Sequence, residues 1–223
     1  MARNKGILLL GAGGHCLSVL DSLVSLNIYE KIGLVVKDRN NLEEASAITD
    51  RFKGIHIAGT DEDLPALFAE GYADAFITVG SIGNPLIRQK LYRKIKQIGF
   101  HIPNIIDKTA VVSPDVRLGE GIFVGKKAVV NTGSNIGNCV IINTMALIEH
   151  ECSVEDFVHV APGCILCGGV RVGENTHIGA GSIIKQGLTI GSDTMIGMGS
   201  VVVSPVGSHA TAYGNPCKEV KHE

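Results

Sequence analysis

The sequence predicts two domains of different class, α/β and all-β. A small Rossmann-like domain is expected over residues 1–102, and a left-handed parallel β-helix of hexapeptide repeats over residues 103–223. Apolar runs alternate with helical patterns in the first third, and an unbroken six-residue aliphatic repeat fills most of the remainder. The chain also has 28 glycines and no tryptophan, which is typical of many tight corners around a narrow core.

The first domain begins with a buried strand, Gly6 to Leu10, and the glycine-rich turn Gly11-Ala12-Gly13-Gly14-His15. A helical stretch, Leu17 to Leu26, and a second strand, Ile32 to Val36, follow. Beyond them the patterns predict a strand at 55–57, a helix at 61–70, a strand at 75–79 and an amphipathic helix at 85–98. This alternation predicts a small parallel sheet with helices packed against it.

The glycine-rich turn is a candidate phosphate site, because backbone N–H groups at a helix N-terminus bind anions. Cys16 stands where the motif G-x-G-x-x-G needs its last glycine, which disfavours NAD or FAD. A histidine in this turn would project beside a bound phosphate, so we predict a nucleotide, with a purely structural turn as the alternative. The predicted substrate-binding residues are Gly11, Gly13, Gly14, His15 and, at the end of the second strand, Asp38.

From Ile106 to Val202, every sixth residue is Ile, Leu or Val, at all 17 positions. A helical period of 3.6 cannot hold every sixth residue on one side, whereas short strands separated by corners can. Small residues recur two positions before the aliphatic one, and glycine often follows it. Three such strands make a triangular coil of about 18 residues, and successive coils stack about 4.8 Å apart. The repeat therefore predicts the β-helix.

The polar residues that interrupt the repeat are the candidates for chemistry. His150 lies two positions after an inward aliphatic residue, hence on an exposed corner, and Glu149 or Glu151 could orient its imidazole as a general base. One coil later, Gly168 and Gly169 could donate a backbone N–H to a thioester oxyanion. A solvated corner of ordinary charged residues is the alternative interpretation.

The spacings of the histidines and cysteines limit which of these residues can share a site. His159 and His177 are 18 residues apart, so they stack on one face and point outward, and His177 could equally be a plain surface histidine. His150 and His159 are nine apart, on opposite sides of the prism, so a site using both needs two chains. Cys164 and Cys167 form a C-x-x-C, but they fall on a core slot and a corner slot, which favours structural roles.

Four motifs carry a family resemblance: the G-A-G-G-H turn, I-N-T-x-A-L-I-E-H-E-C at 142–152, H-V-A-P-G at 159–163 and Y-G-N-P-C-K at 213–218. With them, almost the whole chain resembles the sugar acetyltransferases of the sialic-acid O-acetyltransferase and bacillosamine N-acetyltransferase type. The resemblance implies a homotrimer that N-acetylates a nucleotide-linked amino sugar with acetyl-CoA, without a metal, in bacterial surface-glycan synthesis. O-acetylation of sialic acid or another sugar is the alternative within the family.

The resemblance also implies roles for individual residues. The general base falls on His150, its carboxylate partner on Glu151 and an active-site asparagine on Asn143. The acetyl-CoA contacts are predicted at His159, Gly168, Gly169, His177, Gly214 and Pro216, with the cosubstrate lying between neighbouring chains. Two departures weaken any prediction of the nucleotide or sugar: Lys37-Asp38 replaces the family's usual Asp-Asp, and Asp107 stands where a histidine-proline pair is usual.

Other classes of protein fit the sequence less well. A net charge of −2 disfavours a nucleic-acid partner, and no apolar run reaches the roughly 18 residues of a membrane span. Residues 1–5 show no signal-peptide cleavage site and the six cysteines are scattered, so we expect a cytoplasmic protein. A trimeric zinc carbonic anhydrase needs a histidine spacing that is not found here. A serine acetyltransferase would have a helical N-terminal domain, and a purely structural solenoid would leave the histidine cluster without a use.

Overall fold

The computed structural model describes residues 4–220. The predicted absence of a signal peptide rests on residues 1–5, of which the first three lie outside this range. The chain forms two compact units. One comprises the residues up to Gly80 together with Leu86–Asn104, and the second comprises Ser81–Pro85 and the residues from Ile105 onward. The short segment Ser81–Pro85 therefore groups with the second unit, although it lies within the predicted first domain.

The first unit contains a four-stranded parallel sheet in the order β3-β2-β1-β4, with both faces of β1 buried. Its elements are β1 (Asn4–Leu10), α1 (Gly14–Leu26), β2 (Tyr29–Val36), α2 (Leu42–Arg51), β3 (Ile55–Thr60), α3 (Leu64–Ala69), β4 (Asp74–Ile77) and α4 (Leu86–Ile98). A 3-10 turn, Arg39–Asn41, precedes α2; neither it nor α2 was predicted. The Rossmann-like class is confirmed.

The strand order reverses between β1 and β4, and the chain leaves both strands at the same edge of the sheet. The Thr78 hydroxyl, just after β4, donates a hydrogen bond to the Gly11 carbonyl, just after β1, at 2.6 Å. Ligands of open α/β sheets bind outside the carboxyl ends of the strands at such a reversal. The predicted phosphate turn therefore lies at the edge where a nucleotide is expected.

The second unit is a parallel β-helix of 17 two-residue strands, and every strand ends on a residue of the predicted repeat. The strands are β5 (Ile105–Ile106), β6 (Val111–Val112), β7 (Arg117–Leu118), β8 (Phe123–Val124), β9 (Val129–Val130), β10 (Asn135–Ile136), β11 (Ile141–Ile142), β12 (Leu147–Ile148), β13 (Ser153–Val154), β14 (His159–Val160), β15 (Ile165–Leu166), β16 (Arg171–Val172), β17 (His177–Ile178), β18 (Ile183–Ile184), β19 (Thr189–Ile190), β20 (Met195–Ile196) and β21 (Val201–Val202). Each pairs with the strand 18 residues away, as at Ile141↔His159 and His159↔His177. The predicted left-handed hexapeptide β-helix is confirmed.

The first residue of each two-residue strand points outward, so the prism presents three columns of side chains. We call them the histidine face (Ile105, Phe123, Ile141, His159, His177, Met195), the aliphatic face (Val111, Val129, Leu147, Ile165, Ile183, Val201) and the polar face (Arg117, Asn135, Ser153, Arg171, Thr189). The histidine face is buried except at its last residue, whereas the other two are exposed or half-buried. The three faces therefore differ in both chemistry and accessibility.

A hairpin of β22 (Thr211–Gly214) and β23 (Cys217–Glu219) follows the last coil and extends the sheet of the histidine face. The core of the prism consists of the inward aliphatic residues and the small residues two positions before them. Within residues 4–220, no helix is long and apolar enough to cross a membrane.

Candidate active site

His150 lies on the corner between the aliphatic face and the polar face, after β12 and before β13. Glu151 follows it with φ near +58°, the left-handed conformation that the third residue of a type II turn requires. Six other non-glycine residues have the same conformation at the same slot of the six-residue repeat, so this conformation is a property of the repeat. The Gly169 N–H donates to the His150 carbonyl at 2.8 Å and so ties the corner to the next coil.

The imidazole of His150 is held by Glu151. Its Nδ1 lies 3.1 Å from Glu151 Oε2, and both side chains are more than half exposed. Because a carboxylate oxygen can only accept, Nδ1 is the donor, and in the neutral ring the lone pair then lies on Nε2. The Glu151 carboxylate thus fixes the tautomer of the ring, as the predicted role of His150 requires.

Glu149 has a different role from Glu151. Its Oε2 accepts a hydrogen bond from Asn131 Nδ2 at 3.1 Å and a longer one from the His150 backbone N–H at 3.4 Å. This carboxylate therefore supports the backbone of the corner, and Glu151 is the acid that contacts the imidazole ring.

Gly168 lies directly beside the free edge of the imidazole. A Cβ at this position would be 2.5 Å from both Nε2 and Cε1 of His150, so only glycine allows the ring its observed position. Among the described residues the Gly168 N–H donates to no hydrogen-bond acceptor, whereas the Gly169 N–H donates to the His150 carbonyl. Of the two predicted oxyanion donors, Gly168 is therefore the available one.

His159 lies on the histidine face and is 8% exposed. Its Nδ1 donates to the Ser81 carbonyl at 2.7 Å, so Nε2 of the neutral ring is an acceptor. Asn143 Nδ2 lies 3.5 Å from that Nε2, while Asn143 Oδ1 accepts from the Thr144 N–H at 2.8 Å. The structure therefore places Asn143 with His159.

His177 packs against His159 with the ring centroids 4.8 Å apart and the planes nearly perpendicular. It is also 8% exposed, and its Nδ1 has no hydrogen-bond partner within residues 4–220. Burial lowers the pKa of His177, and the nearby Ser81 carbonyl opposes that shift only in part. The interpretation of His177 as a plain surface histidine is wrong, because its ring is buried and lies against His159 and near the Ser81 carbonyl.

In the first unit, Gly11 has φ near +108°, and a Cβ there would lie 2.6 Å from Val79 Cγ2. Gly13 and Gly14 have no atom within 4 Å of an added Cβ, so the space in front of them is open. Asp38 Oδ1 accepts from the Asn40 N–H at 2.9 Å. Gly11 is thus required by the fold, whereas Gly13 and Gly14 leave room for a ligand to approach the backbone.

Asp61 directly follows β3, at the edge of the sheet where Lys37 and Asp38 follow β2. Burial raises the pKa of the Asp61 carboxyl, and the charges of Lys94 and Lys37 oppose that shift. The Lys94 ammonium donates a hydrogen bond to the Asp61 carbonyl. This edge of the sheet therefore carries charges of both signs.

Comparison with known proteins places these features in a family. Residues 6–95 match the model of the PglD N-terminal domain, and residues 151–186 match the bacterial transferase hexapeptide model. A perosamine N-acetyltransferase from Caulobacter crescentus, solved with CoA and GDP-perosamine, is 35% identical over 98% of both chains, with a TM-score of 0.85. The acetyltransferase domain of PglB from Neisseria gonorrhoeae, solved with acetyl coenzyme A, is 34% identical over 97% of this chain and 100% of that domain, also with a TM-score of 0.85. WeeI from Acinetobacter baumannii is 24% identical over 97% and 100% of the two chains, with a TM-score of 0.80, and supports the fold alone.

The chain belongs to the PglD-like sugar acetyltransferases. The family resemblance read from the four motifs is thereby confirmed, and so is the general class of enzyme, a hexapeptide-repeat acetyltransferase.

In this PglD-like chain the predicted site residues fall into separate groups. His150, Glu151 and Gly168 meet at one corner, and His159, His177 and Asn143 meet on the histidine face. Asn143 lies beside His159 in the single chain, and its assignment as the active-site asparagine stays a prediction.

The remaining predicted acetyl-CoA contacts, Gly214 and Pro216, lie in the exposed turn of the terminal hairpin, where Asn215–Pro216 is a cis peptide. The Gly214 N–H donates to Ser200 Oγ at 3.2 Å, and Gly214 pairs with Cys217 across the hairpin. These residues stay predictions as cosubstrate contacts.

The sequence did not predict one group that contacts the site residues, the backbone carbonyl of Ser81. The Ser81 carbonyl fixes the tautomer of His159, but a backbone acceptor leaves no mark in a sequence.

The structure also accounts for the C-x-x-C: burial raises the pKa of Cys164 to about 11, and its thiol donates to the Gly179 carbonyl at 3.0 Å. Among residues 4–220, no group of three or more His, Cys, Asp or Glu side chains is placed to hold a metal ion.

Proposed function

We propose that the protein transfers the acetyl group of acetyl-CoA to the amine of a nucleotide-linked amino sugar, with His150 as the general base. One observation carries the proposal: Glu151 holds His150 Nδ1, so the basic Nε2 lies beside the Gly168 backbone. The structures of relatives with acetyl coenzyme A and with CoA and GDP-perosamine support the two substrate classes.

The chemistry follows from that geometry. As the amine attacks the thioester carbonyl, His150 Nε2 accepts the proton that the nitrogen loses. The negative charge on the carbonyl oxygen is stabilised by the Gly168 N–H, which donates to no other acceptor among the described residues. When the C–S bond breaks, the proton passes to the departing sulfur, which leaves the amide and CoA.

We further propose that the active enzyme is a homotrimer with each site shared by two chains. The aliphatic face supports this, because an unbroken column of six Val, Leu and Ile side chains is exposed or half-buried in the single chain. The site residues support it as well, since His150 lies on a corner and His159 on the face opposite that corner. A closed three-fold ring would supply three equivalent boundaries, each with His150 from one chain and His159 from the next.

Subunit mixing tests the shared site. Inactive His150→Ala chains and His159→Asn chains are dissociated, mixed in equal amounts and reassembled. Random trimers should recover about a quarter of the full number of intact sites, because a boundary works only when the chain that supplies His150 is a His159→Asn chain and the chain that supplies His159 is a His150→Ala chain. If each site lay within one chain, mixing would restore nothing and the shared site would be wrong.

The glycine turn of the first unit is proposed to bind the nucleotide. Open space in front of Gly13 and Gly14, at a helix N-terminus next to the reversal of strand order, supports a phosphate there. The turn favours a nucleotide-linked acceptor over free sialic acid, and His15 in that turn is the proposed side-chain contact.

Release of CoA with a panel of acceptors tests the function as a whole. The panel contains UDP- and GDP-linked amino sugars, GDP-perosamine among them, the same nucleotides linked to sugars without an amine, and free sialic acids. We expect turnover only with nucleotide-linked amino sugars. Preference for an amine-free sugar or for sialic acid would indicate O-acetylation, and no turnover with any acceptor would overturn the proposal.

A further inference from the structure

Two carboxylates flank His150 in the chain, and the fold holds them in different places. Glu151 Oε2 lies 3.1 Å from His150 Nδ1. Glu149 Oε2 instead accepts from Asn131 Nδ2 at 3.1 Å and from the His150 backbone N–H at 3.4 Å. Of the two carboxylates, Glu151 is thus the one hydrogen-bonded to the imidazole, and Glu149 is held at the backbone of the corner.

Asn131 occupies the slot of Glu149 in the preceding coil. Asn131 directly follows β9 and Glu149 directly follows β12, and these two strands pair with Val130 opposite Ile148. The Asn131 N–H donates to the Ile148 carbonyl at 2.9 Å, so the register continues into the corner. Residues in one slot of neighbouring coils lie about 4.8 Å apart, which lets an amide reach a carboxylate. We call this side-chain hydrogen bond the Asn131–Glu149 rung.

The chemistry of a general base makes the position of Glu149 matter. Because His150 Nδ1 donates to Glu151, a second carboxylate at the ring could only accept from Nε2, and it could do so only while Nε2 carries a proton. A second negative charge near the ring also favours the imidazolium, which has no lone pair to offer. A base with a free Nε2 therefore needs one carboxylate on the ring and the other kept away.

The other charges around this corner are few among the described residues. The corner of the coil before, 131–134, has no acidic or basic side chain, and the corner of the coil after contributes only the Cys167 thiol. Two coils before, the Asp115 carboxylate accepts from a hydroxyl and a backbone N–H of the intervening corner. Two coils after, Lys185 stands in the slot of Glu149. Glu149 is therefore the charge that a change at this corner could bring to the ring.

We propose, on the basis of the proposed function, that Asn131 is a positioning residue for the general base. Its amide holds the Glu149 carboxylate at the backbone of the corner, so that Glu151 alone pairs with the imidazole of His150 and Nε2 keeps its lone pair for the substrate. Asn131 acts through Glu149 and needs no contact with either substrate.

The pH dependence of kcat tests the rung. Asn131→Leu removes the amide, keeps a side chain of similar size and frees the Glu149 carboxylate to approach the ring. Because turnover requires the neutral imidazole, the acidic limb of kcat should move to higher pH by about 0.5 to 1 unit, the effect of one charge about 4 Å away at an exposed site. On that limb kcat should fall about 3- to 10-fold, whereas at higher pH the variant should approach the unsubstituted enzyme. The KM for acetyl-CoA should be unchanged.

A second substitution separates this role from a structural one. Glu149→Gln added to Asn131→Leu removes the charge and keeps the shape, so the acidic limb should return to its position in the unsubstituted enzyme. Asn138→Leu is the matched control, since Asn138 Nδ2 donates to the carboxylate one coil later, Asp156 Oδ2, at 3.1 Å, at a different corner from that of His150. The control should lower the thermal midpoint and leave the acidic limb in place.

Three results would overturn the positioning role: an acidic limb that stays in place in Asn131→Leu, a shift that persists in the double variant, or an equal shift in Asn138→Leu. Each leaves the proposed function intact, whereas an unsubstituted enzyme that acetylates no amino sugar overturns both. Asn131→Ser gives the same test if the leucine variant does not fold. Serine already stands in this slot one coil earlier, at Ser113, and its hydroxyl is too short to replace the amide.

Discussion

His150 and His177 occupy two different slots of one repeat, and their surroundings differ accordingly. His150 stands on a corner, with its side chain 56% exposed and bonded to a carboxylate. His177 stands at the start of a strand, 8% exposed, in edge-to-face contact with another imidazole and with Nδ1 unpaired among the described residues. The corner slot leaves a ring accessible to a substrate, whereas the face slot lets other parts of the unit cover it.

The comparison also explains the glycine next to His150. A ring on a corner lies over the corresponding residue of the next coil, so that residue must be small for the ring to lie flat. On the histidine face the residue one coil away has a full side chain, and the two rings meet edge to face instead. The observed position of the His150 ring therefore depends on both the corner and the glycine 18 residues later.

The largest expected effect is the loss of His150. His150→Ala should reduce kcat by about 10²–10⁴, the usual contribution of a general base, with acetyl-CoA binding unchanged. Because the His150 side chain is exposed, we expect the substitution to lower the stability of the fold only slightly. Turnover and the thermal midpoint measured on the same preparation check both parts, and near-normal turnover would contradict the role of His150.

A smaller loss is expected from Gly168→Ala. The new methyl group would overlap His150 Nε2 and Cε1, and the exposed imidazole can swing away at little cost in folding energy. Displacement of a base by about 1 Å is enough to lower kcat about 10²-fold. Gly207→Ala is the control, because the nearest atom to its Cβ is the end of Glu219 at 3.6 Å. Equal activity in the two variants would show that the ring position does not matter.

The aliphatic repeat predicted the β-helix down to the register, since all 17 strands end on residues of that repeat. The same spacing placed His150 on a corner and separated it from His159. The helix Leu42–Arg51 was missed, because it is short and mostly polar and only Ala45 and Ile48 are fully buried among the residues whose burial is described. Contacts between coils, such as Gly168 beneath His150, depend on side-chain directions that a repeat alone does not specify.

The Ser81 carbonyl illustrates a second limit. The sequence places Ser81 between a strand and a helix of the first domain, and nothing in its type or spacing connects it with a histidine 78 residues later. A hydrogen bond from a side chain to a backbone carbonyl requires only that the chain pass nearby, so it has no residue pattern. The burial of His159 and His177 could therefore not be predicted from their outward slots.

The smallest expected effect is a pH dependence of stability that comes from His177. Burial lowers the pKa of His177 below its usual 6.5, so as the pH falls below 6.5 the unfolded chain gains a proton that the folded chain does not bind. Stability from this group is complete above pH 6.5 and is lost as the pH falls towards the folded-state pKa, by at most about 1.4 kcal/mol per pH unit.

His177→Phe keeps a ring against His159 and removes the titration. Urea unfolding at fixed protein concentration should therefore show a difference between His177→Phe and the unsubstituted protein that changes between pH 7.5 and pH 5.5, with the variant losing less. His209→Asn, which removes an exposed imidazole, serves as the control, and a difference that stays constant with pH would mean that His177 titrates alike in the folded and unfolded chains.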